Sequence, residues 1–291
     1  MTLTAFLEEV LLDSLIDFGK LLPFLFLTYL LMEFLEHRAG EKMENAIRRA
    51  GRVGPLFGGI LGVLPQCGFS AAASGLYAGR VISLGTLIAV YLSTSDEMLP
   101  ILIAEGADAS LIVKLLLIKL LIGMVAGFLV DLCLWLFQKK EESEHIHELC
   151  EHEGCHCEKG IFRSALHHTL SIGLFLLAVM LLLNTAVFFL GEARIASVFS
   201  SVPVLGHFLS ALVGLIPNCA SSVLITKLYL EGMLTAGCML SGLFVGTGVG
   251  LLVLFRVTSK KRDAFFVLLL LFLIGAVSGM LLDLCGIGAI L

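Results

Sequence analysis

Apolar residues in this chain run in long unbroken blocks, and polar residues collect between the blocks instead of alternating with them. The stretch LLLLFLIGAVSGMLL at 268–282 is typical. Blocks of roughly 20 residues are what a helix needs to cross a bilayer, whereas a closed β-barrel would show short alternating segments. The pattern predicts spanning helices at 18–37, 82–104, 111–137, 165–188, 233–255 and 264–285. One further apolar block, 53–79, is interrupted by LPQCGFS at 64–70.

Sliding the chain against itself by 152 residues, the separation of Cys67 and Cys219, pairs Gly54 with Gly206, Gly62 with Gly214, Pro65 with Pro217 and Ser70 with Ser222. The register survives to the end of each half through Tyr77/Tyr229, Gly85/Gly237, Gly123/Gly275, Gly127/Gly279, Asp131/Asp283 and Cys133/Cys285. Glycine, proline and aspartate are poorly interchangeable in apolar packing, so their coincidence indicates duplication. The expected domains are a first transmembrane repeat at 1–137, a linker at 138–164 and a second repeat at 165–291.

Charge sets the relative orientation of the copies. The loop at 38–52 holds Arg38, Lys42, Arg48, Arg49 and Arg52, and its counterpart near 189–204 holds only Arg194. Residues 104–110 carry Glu105 and Asp108 without a base, whereas the matching stretch carries Arg256, Lys260, Lys261 and Arg262. By the positive-inside rule equivalent loops face opposite sides, the signature of an inverted repeat. An odd number of crossings must then separate the basic loop from the acidic one. The block 53–79 is therefore expected to enter and return as a re-entrant hairpin, turning at Pro65 to Gly68 and leaving near Arg80, with IPNCASS at 216–222 as the tip of its partner. The predicted fold class is an all-α polytopic membrane protein of two inverted repeats, each with spanning helices plus a broken or re-entrant helical hairpin. Both termini fall outside and the linker is cytoplasmic.

Composition agrees: 58% of residues are hydrophobic and 15% charged, with a mean hydropathy of +1.00. The first 20 residues lack the basic start and cleavage site of a signal peptide and read as part of the mature protein. Of the eight cysteines, Cys67, Cys133, Cys219, Cys238 and Cys285 fall in or beside apolar segments, where a buried thiol is the plain expectation. Lys119, midway along a span, is tolerable only in a protein-facing or wet position.

A helix broken at the bilayer midplane leaves amides and carbonyls that lipid cannot satisfy, so each break must line protein or water. The two tips bring Gln66, Cys67, Ser70, Asn218, Cys219, Ser221 and Ser222 to similar depth from opposite sides. Inside the block 82–104 lies STSDEMLP, with Ser95, Asp96 and Glu97 ahead of Pro100. Each buried carboxylate costs on the order of 2.5 to 3.5 kcal/mol on insertion scales, so the pair must face water, a cation or a proton path. The matching stretch of the second copy, Gly246 to Gly250, has no acids but is equally poor at holding a straight helix. Oxygens from Ser95, Asp96, Glu97 and Asn218 with a thiol from Cys67 or Cys219 suit a borderline divalent ion: Mn²⁺, Zn²⁺, Co²⁺ or Fe²⁺.

The linker sequence EHIHELCEHEGCHCE at 144–158 adds His145, His147, Cys150, His152, Cys155, His156 and Cys157. Their spacing fits no ordered zinc finger and reads as a flexible metal collector. Asp131 and Asp283 are explained by interfacial placement near opposite membrane faces. Gly123–Gly127 and Gly275–Gly279 read as close helix packing.

With PQCGFS, PNCASS, STSDE and a His-rich central loop in place, the chain resembles the bacterial ten-transmembrane heavy-metal exporters, which carry labels such as manganese transporter or arsenic efflux protein. The resemblance spans nearly the whole length and implies efflux of a metal or metalloid through the cell membrane. No phosphate-binding loop occurs, so the expectation is secondary transport of a divalent metal ion, manganese foremost, by proton exchange. The expected partners are the lipid bilayer, the metal ion and protons, with no nucleic acid and no obligatory cofactor. Efflux of arsenite or another metalloid or anion is the alternative, and a membrane-anchored metal sensor or scaffold a further one. An intramembrane enzyme using Asp96 and Glu97 fits the duplication poorly.

Overall fold

The computed structural model describes residues 53–64, 67–95, 98–137, 161–190, 203–217, 219–258 and 261–286, with scattered positions between 11 and 30. These residues form helices only, apart from turns: α1 (Gly54–Gly62), α2 (Cys67–Ala78), α3 (Leu84–Ser93), α4 (Met98–Ala104), α5 (Ala109–Phe137), α6 (Ile161–Leu190), α7 (Pro203–Gly214), α8 (Cys219–Leu230), α9 (Ala236–Val245), α10 (Gly250–Val257) and α11 (Lys261–Leu284). Adding 152 to the bounds of α2 and α3 reproduces those of α8 and α9. The described positions between 14 and 30 are helical and stand where α6 stands in the second copy.

The duplication extends to how helices end. After α2, Val81 N donates to Leu76 O at 2.8 Å and Arg80 N to Tyr77 O at 2.9 Å; after α8, Met233 N donates to Leu228 O at 2.9 Å and Gly232 N to Tyr229 O at 2.9 Å. This is the paired C-terminal cap that needs a left-handed residue. Gly232 supplies it at φ +74°, and in the first copy Arg80 adopts it at φ +59°.

The block 53–79 is a helical hairpin. At one end of α1, a side chain on Gly54 would run into Thr86, in the first turn of α3; at the other end, Gly62 lies against Ser93 and Val90, in the last turns of α3. The chain therefore climbs α3 along α1. It comes back down along α2, since only five residues connect Ala78 to Leu84. The expected turn shifts slightly, because Cys67 and Gly68 already belong to the first turn of α2. The second copy repeats the arrangement, with Gly206 against Cys238 and Gly214 against Gly242.

Four stretches are long and apolar enough to cross a membrane among the described residues: Leu84–Ala104, Ala109–Leu136, Ala236–Val257 and Lys261–Leu284. Burial separates them into two kinds. The stretches holding α3 and α9 are 69% and 83% buried, against 28% and 33% for α5 and α11. Every residue of α3 and of α9 is buried, the property of a helix that is apolar all round and forms the core. α5 and α11 show Leu117, Leu121, Val125 and Leu129, and Phe265, Leu269, Leu273 and Val277, outward as a lipid-facing rim. Lipid is as apolar as leucine, so association here rests on close packing. Gly127 supplies it between α5 and α3, where an added Cβ would press on Ala89 and on the Gly85 carbonyl; Gly279 does the same against Ser241 and Gly237.

Candidate functional site

Both core helices break near their middles. α3 leaves the helix at Thr94 (φ −56°, ψ 126°) and the chain resumes as α4 at Met98; Pro100 then sits in a first turn, where a missing N–H costs nothing. α9 ends at Gly246 (φ −67°, ψ 88°) and resumes as α10 at Gly250. Gly248 takes φ +52° within that gap, a left-handed value that glycine reaches without strain.

Hydroxyls bond carbonyls on either side of the breaks. Ser93 Oγ donates to Ala89 O at 2.7 Å and Thr94 Oγ1 to Val90 O at 2.7 Å. Ser95 Oγ reaches across to Val63 O at 2.5 Å, tying the first break to the turn of its own hairpin. The second break is held from the other copy: Ser70 Oγ donates to Thr247 O at 3.0 Å and Ser74 Oγ to Gly250 O at 2.7 Å. Ser74 also meets the Tyr91 hydroxyl at 2.7 Å.

The two hairpins thus exchange partners. α2 packs on α10, and α8 packs on α4. In the second copy Ser221 Oγ donates to Ile216 O at 3.2 Å within the tip, and a side chain on Gly246 would lie 3.3 Å from Ser222 Oγ. Of the residues singled out from the sequence, Ser70, Ser95, Ser221 and Ser222 are all buried around these two breaks. Cys67 and Cys219 open α2 and α8 as backbone positions. Gln66, Asp96, Glu97, Asn218 and the linker residues His145, His147, Cys150, His152, Cys155, His156 and Cys157 lie outside the described residues. The chain on both sides of the acid pair is placed, since Ser95 and Met98 are 2% and 1% exposed.

Lys119 is protein-facing, as its position in a span required. It is 1% exposed, donates to Leu243 O at 2.7 Å and lies 5.8 Å from the Phe244 ring centroid. Leu243 is in the last turn of α9, where free carbonyls and the helix dipole favour a cation. In the second copy the position of Lys119 is taken by Leu271, also buried.

Asp131 and Asp283 do more than sit at an interface. Asp131 accepts Gly85 N–H at 2.8 Å and the Ser83 hydroxyl at 2.7 Å. Asp283 accepts Gly237 N–H at 2.8 Å and the Thr235 hydroxyl at 2.5 Å. Ser83 and Thr235 are themselves the N-caps of α3 and α9. Each aspartate therefore completes the cap of a core helix from the rim helix beside it. Around Asp283 the second copy adds His207 and Cys238, a grouping that sequence reasoning missed. The cysteines also divide: Cys238 is buried as expected, but Cys133 and Cys285 are exposed on the periphery.

Comparison with family models matches residues 6–134 and 121–260 to the family described as "Putative, 10TM heavy-metal exporter". These two matches cover most of the sequence, and the chain belongs to that family of multi-span membrane proteins. Comparison with curated proteins returns no match, and neither does comparison with solved structures.

Proposed function

We propose that the protein is a secondary transporter that exports a divalent transition-metal ion, manganese foremost, from the cytoplasm in exchange for protons. Family membership supports metal export. The observation that carries the mechanism is the meeting of both hairpins with both broken helices, through Ser95 to Val63, Ser70 to Thr247 and the packing of α8 on α4.

The helix ends at this meeting point account for the choice of charge. α1, α3, α7 and α9 end towards it, and α2, α4, α8 and α10 begin there. Carbonyl ends favour cations and amide ends favour anions, so the backbone alone is balanced. The acid pair Asp96–Glu97, inserted between Ser95 and Met98 of the first break, tips it towards a cation. In this reading Asp96 and Glu97 bind the metal and take up protons when it leaves. Gln66, Cys67, Asn218 and Cys219 complete the shell from the tips.

Helix direction supports the inverted relation of the repeats. Ser70 and Ser74 meet Thr247 and Gly250 in the same order, so α2 and α10 run parallel. α2 runs against α3, because it returns to the start of α3. With α10 continuing α9, α3 and α9 point in opposite directions, as the loop charges require.

Uptake into inside-out vesicles across Mn²⁺, Zn²⁺, Co²⁺, Fe²⁺ and arsenite tests the reading. A divalent ion should accumulate under a proton gradient without nucleotide, and Asp96→Asn should flatten the pH dependence. Uptake of arsenite alone would favour the metalloid alternative, with Cys67 and Cys219 as its ligands.

A further inference from the structure

The second repeat contains a grouping that the first does not. His207, Cys238 and Asp283 come from α7, α9 and α11, and their ligand atoms all lie within 4.8 Å of one another. His207 and Cys238 are 6% and 5% exposed, and His207 Nε2 stands 3.1 Å from Asp283 Oδ2. The other ring nitrogen, Nδ1, is buried with no hydrogen-bond partner among the described residues.

The duplication supplies an internal control. The residues at the same places in the first copy are Pro55, Thr86 and Asp131. There, Asp131 caps α3 with Ser83 and Gly85 alone, so capping requires neither an imidazole nor a thiol. The second copy keeps the cap through Thr235 and Gly237 and adds both groups, from two different helices, around the same carboxylate.

We infer that His207, Cys238 and Asp283 form a binding site for a thiol-tolerant divalent cation of the zinc, cobalt or cadmium class. Nitrogen, sulfur and carboxylate oxygen are the donor set such ions take, and in a tetrahedral shell neighbouring donors stand about 3.5 Å apart. Small side-chain movements close the present spacing to that value. Binding converts the Cys238 thiol to a thiolate and releases its proton to solvent. Thr235 and Gly237, which already hold both oxygens of Asp283, orient the carboxylate from behind. Three protein ligands leave a fourth position open, which suits an exchangeable ion better than a permanent structural one. The site is separate from the broken-helix centre, since Cys238 precedes Gly246 by about 12 Å of helix.

The test is Co²⁺ titration of the purified full chain, reduced, with the linker histidines and cysteines replaced, following the thiolate-to-cobalt charge-transfer band. One such band should appear and persist in Cys67→Ser/Cys219→Ser. It should vanish in Cys238→Thr, which installs the residue the first copy already tolerates. His207→Gln should weaken binding roughly tenfold or more. Absence of the band from the parent, its survival in Cys238→Thr, or its loss in Cys67→Ser/Cys219→Ser would each overturn the assignment. Metal uptake by vesicles separates the two readings: transport by Cys238→Thr, which lacks the band, leaves the export proposal standing, and the band in an unmodified protein that does not transport leaves this site standing.

Discussion

Ser70 of the first repeat donates its hydroxyl to the carbonyl of Thr247 in the second, 3.0 Å away and 177 residues later in the chain. One turn further along α2, Ser74 bonds the carbonyl of Gly250. The break in α9 is thereby tied to the other copy's hairpin.

Ser74→Ala removes the donor that reaches Gly250 O and the hydroxyl partner of Tyr91. It should lower stability by about 1–3 kcal/mol, the cost of leaving buried polar groups unpaired. Thermal unfolding in detergent measures this. Tyr91→Phe combined with Ser74→Ala should cost less than the two separate effects added together, because they share one hydrogen bond.

Asp131→Ala strips α3 of two hydrogen bonds at its start and should destabilise by roughly 2–4 kcal/mol, given that the bonds are made to a charged group. Ser83→Ala should cost about 1 kcal/mol, the usual price of a lost N-cap. Equal melting temperatures for Asp131→Ala and the unmodified protein would show that the aspartate is interfacial and nothing more.

At Gly127 the predicted fault is steric. A methyl group there would meet the Gly85 carbonyl at 2.5 Å and Ala89 Cβ at 2.9 Å, so α5 must move off α3. Gly127→Ala should cost about 1–3 kcal/mol. Gly106→Ala is the contrast, since nothing lies within 4 Å of its Cβ position and only the left-handed backbone at φ +69° resists, for about 1 kcal/mol. Both are read from unfolding midpoints.

Lys119→Met keeps the volume of the side chain and removes the ammonium that Leu243 O accepts from. The protein should still fold, less stably by about 1–3 kcal/mol. Complete failure to accumulate in membranes would mean that the lysine organises far more of the core than this one bond.

Much of the architecture was legible because the duplication preserved residues with narrow backbone roles. Pro65 and Pro217 marked the hairpin turns, and Gly127 and Gly279 marked the close helix contacts. The acid pair with Pro100 pointed to the break after α3. The break in α9 was legible only as a glycine-rich stretch, with Gly248 at φ +52° carrying the turn. The capping role of Asp131 and Asp283 is not legible in sequence because their partners, Gly85 and Gly237, stand 46 residues away and offer backbone N–H groups that no side-chain pattern records. The grouping at His207 has a signature in the sequence. Laying the copies in register shows Pro55 against His207 and Thr86 against Cys238 beside a shared aspartate, so the differences between repeats held information that their identities did not.

The central proposal is that Asp96 and Glu97, which follow Ser95 in the sequence, carry the metal ion. Radiolabelled Mn²⁺ uptake into inside-out vesicles tests it most directly, comparing the unmodified chain with Asp96→Asn/Glu97→Gln at equal protein abundance. The account predicts gradient-driven uptake by the first and at least a tenfold loss in the second, in keeping with the removal of roughly 1.4 kcal/mol or more of cation binding. Equal uptake by both proteins would contradict it.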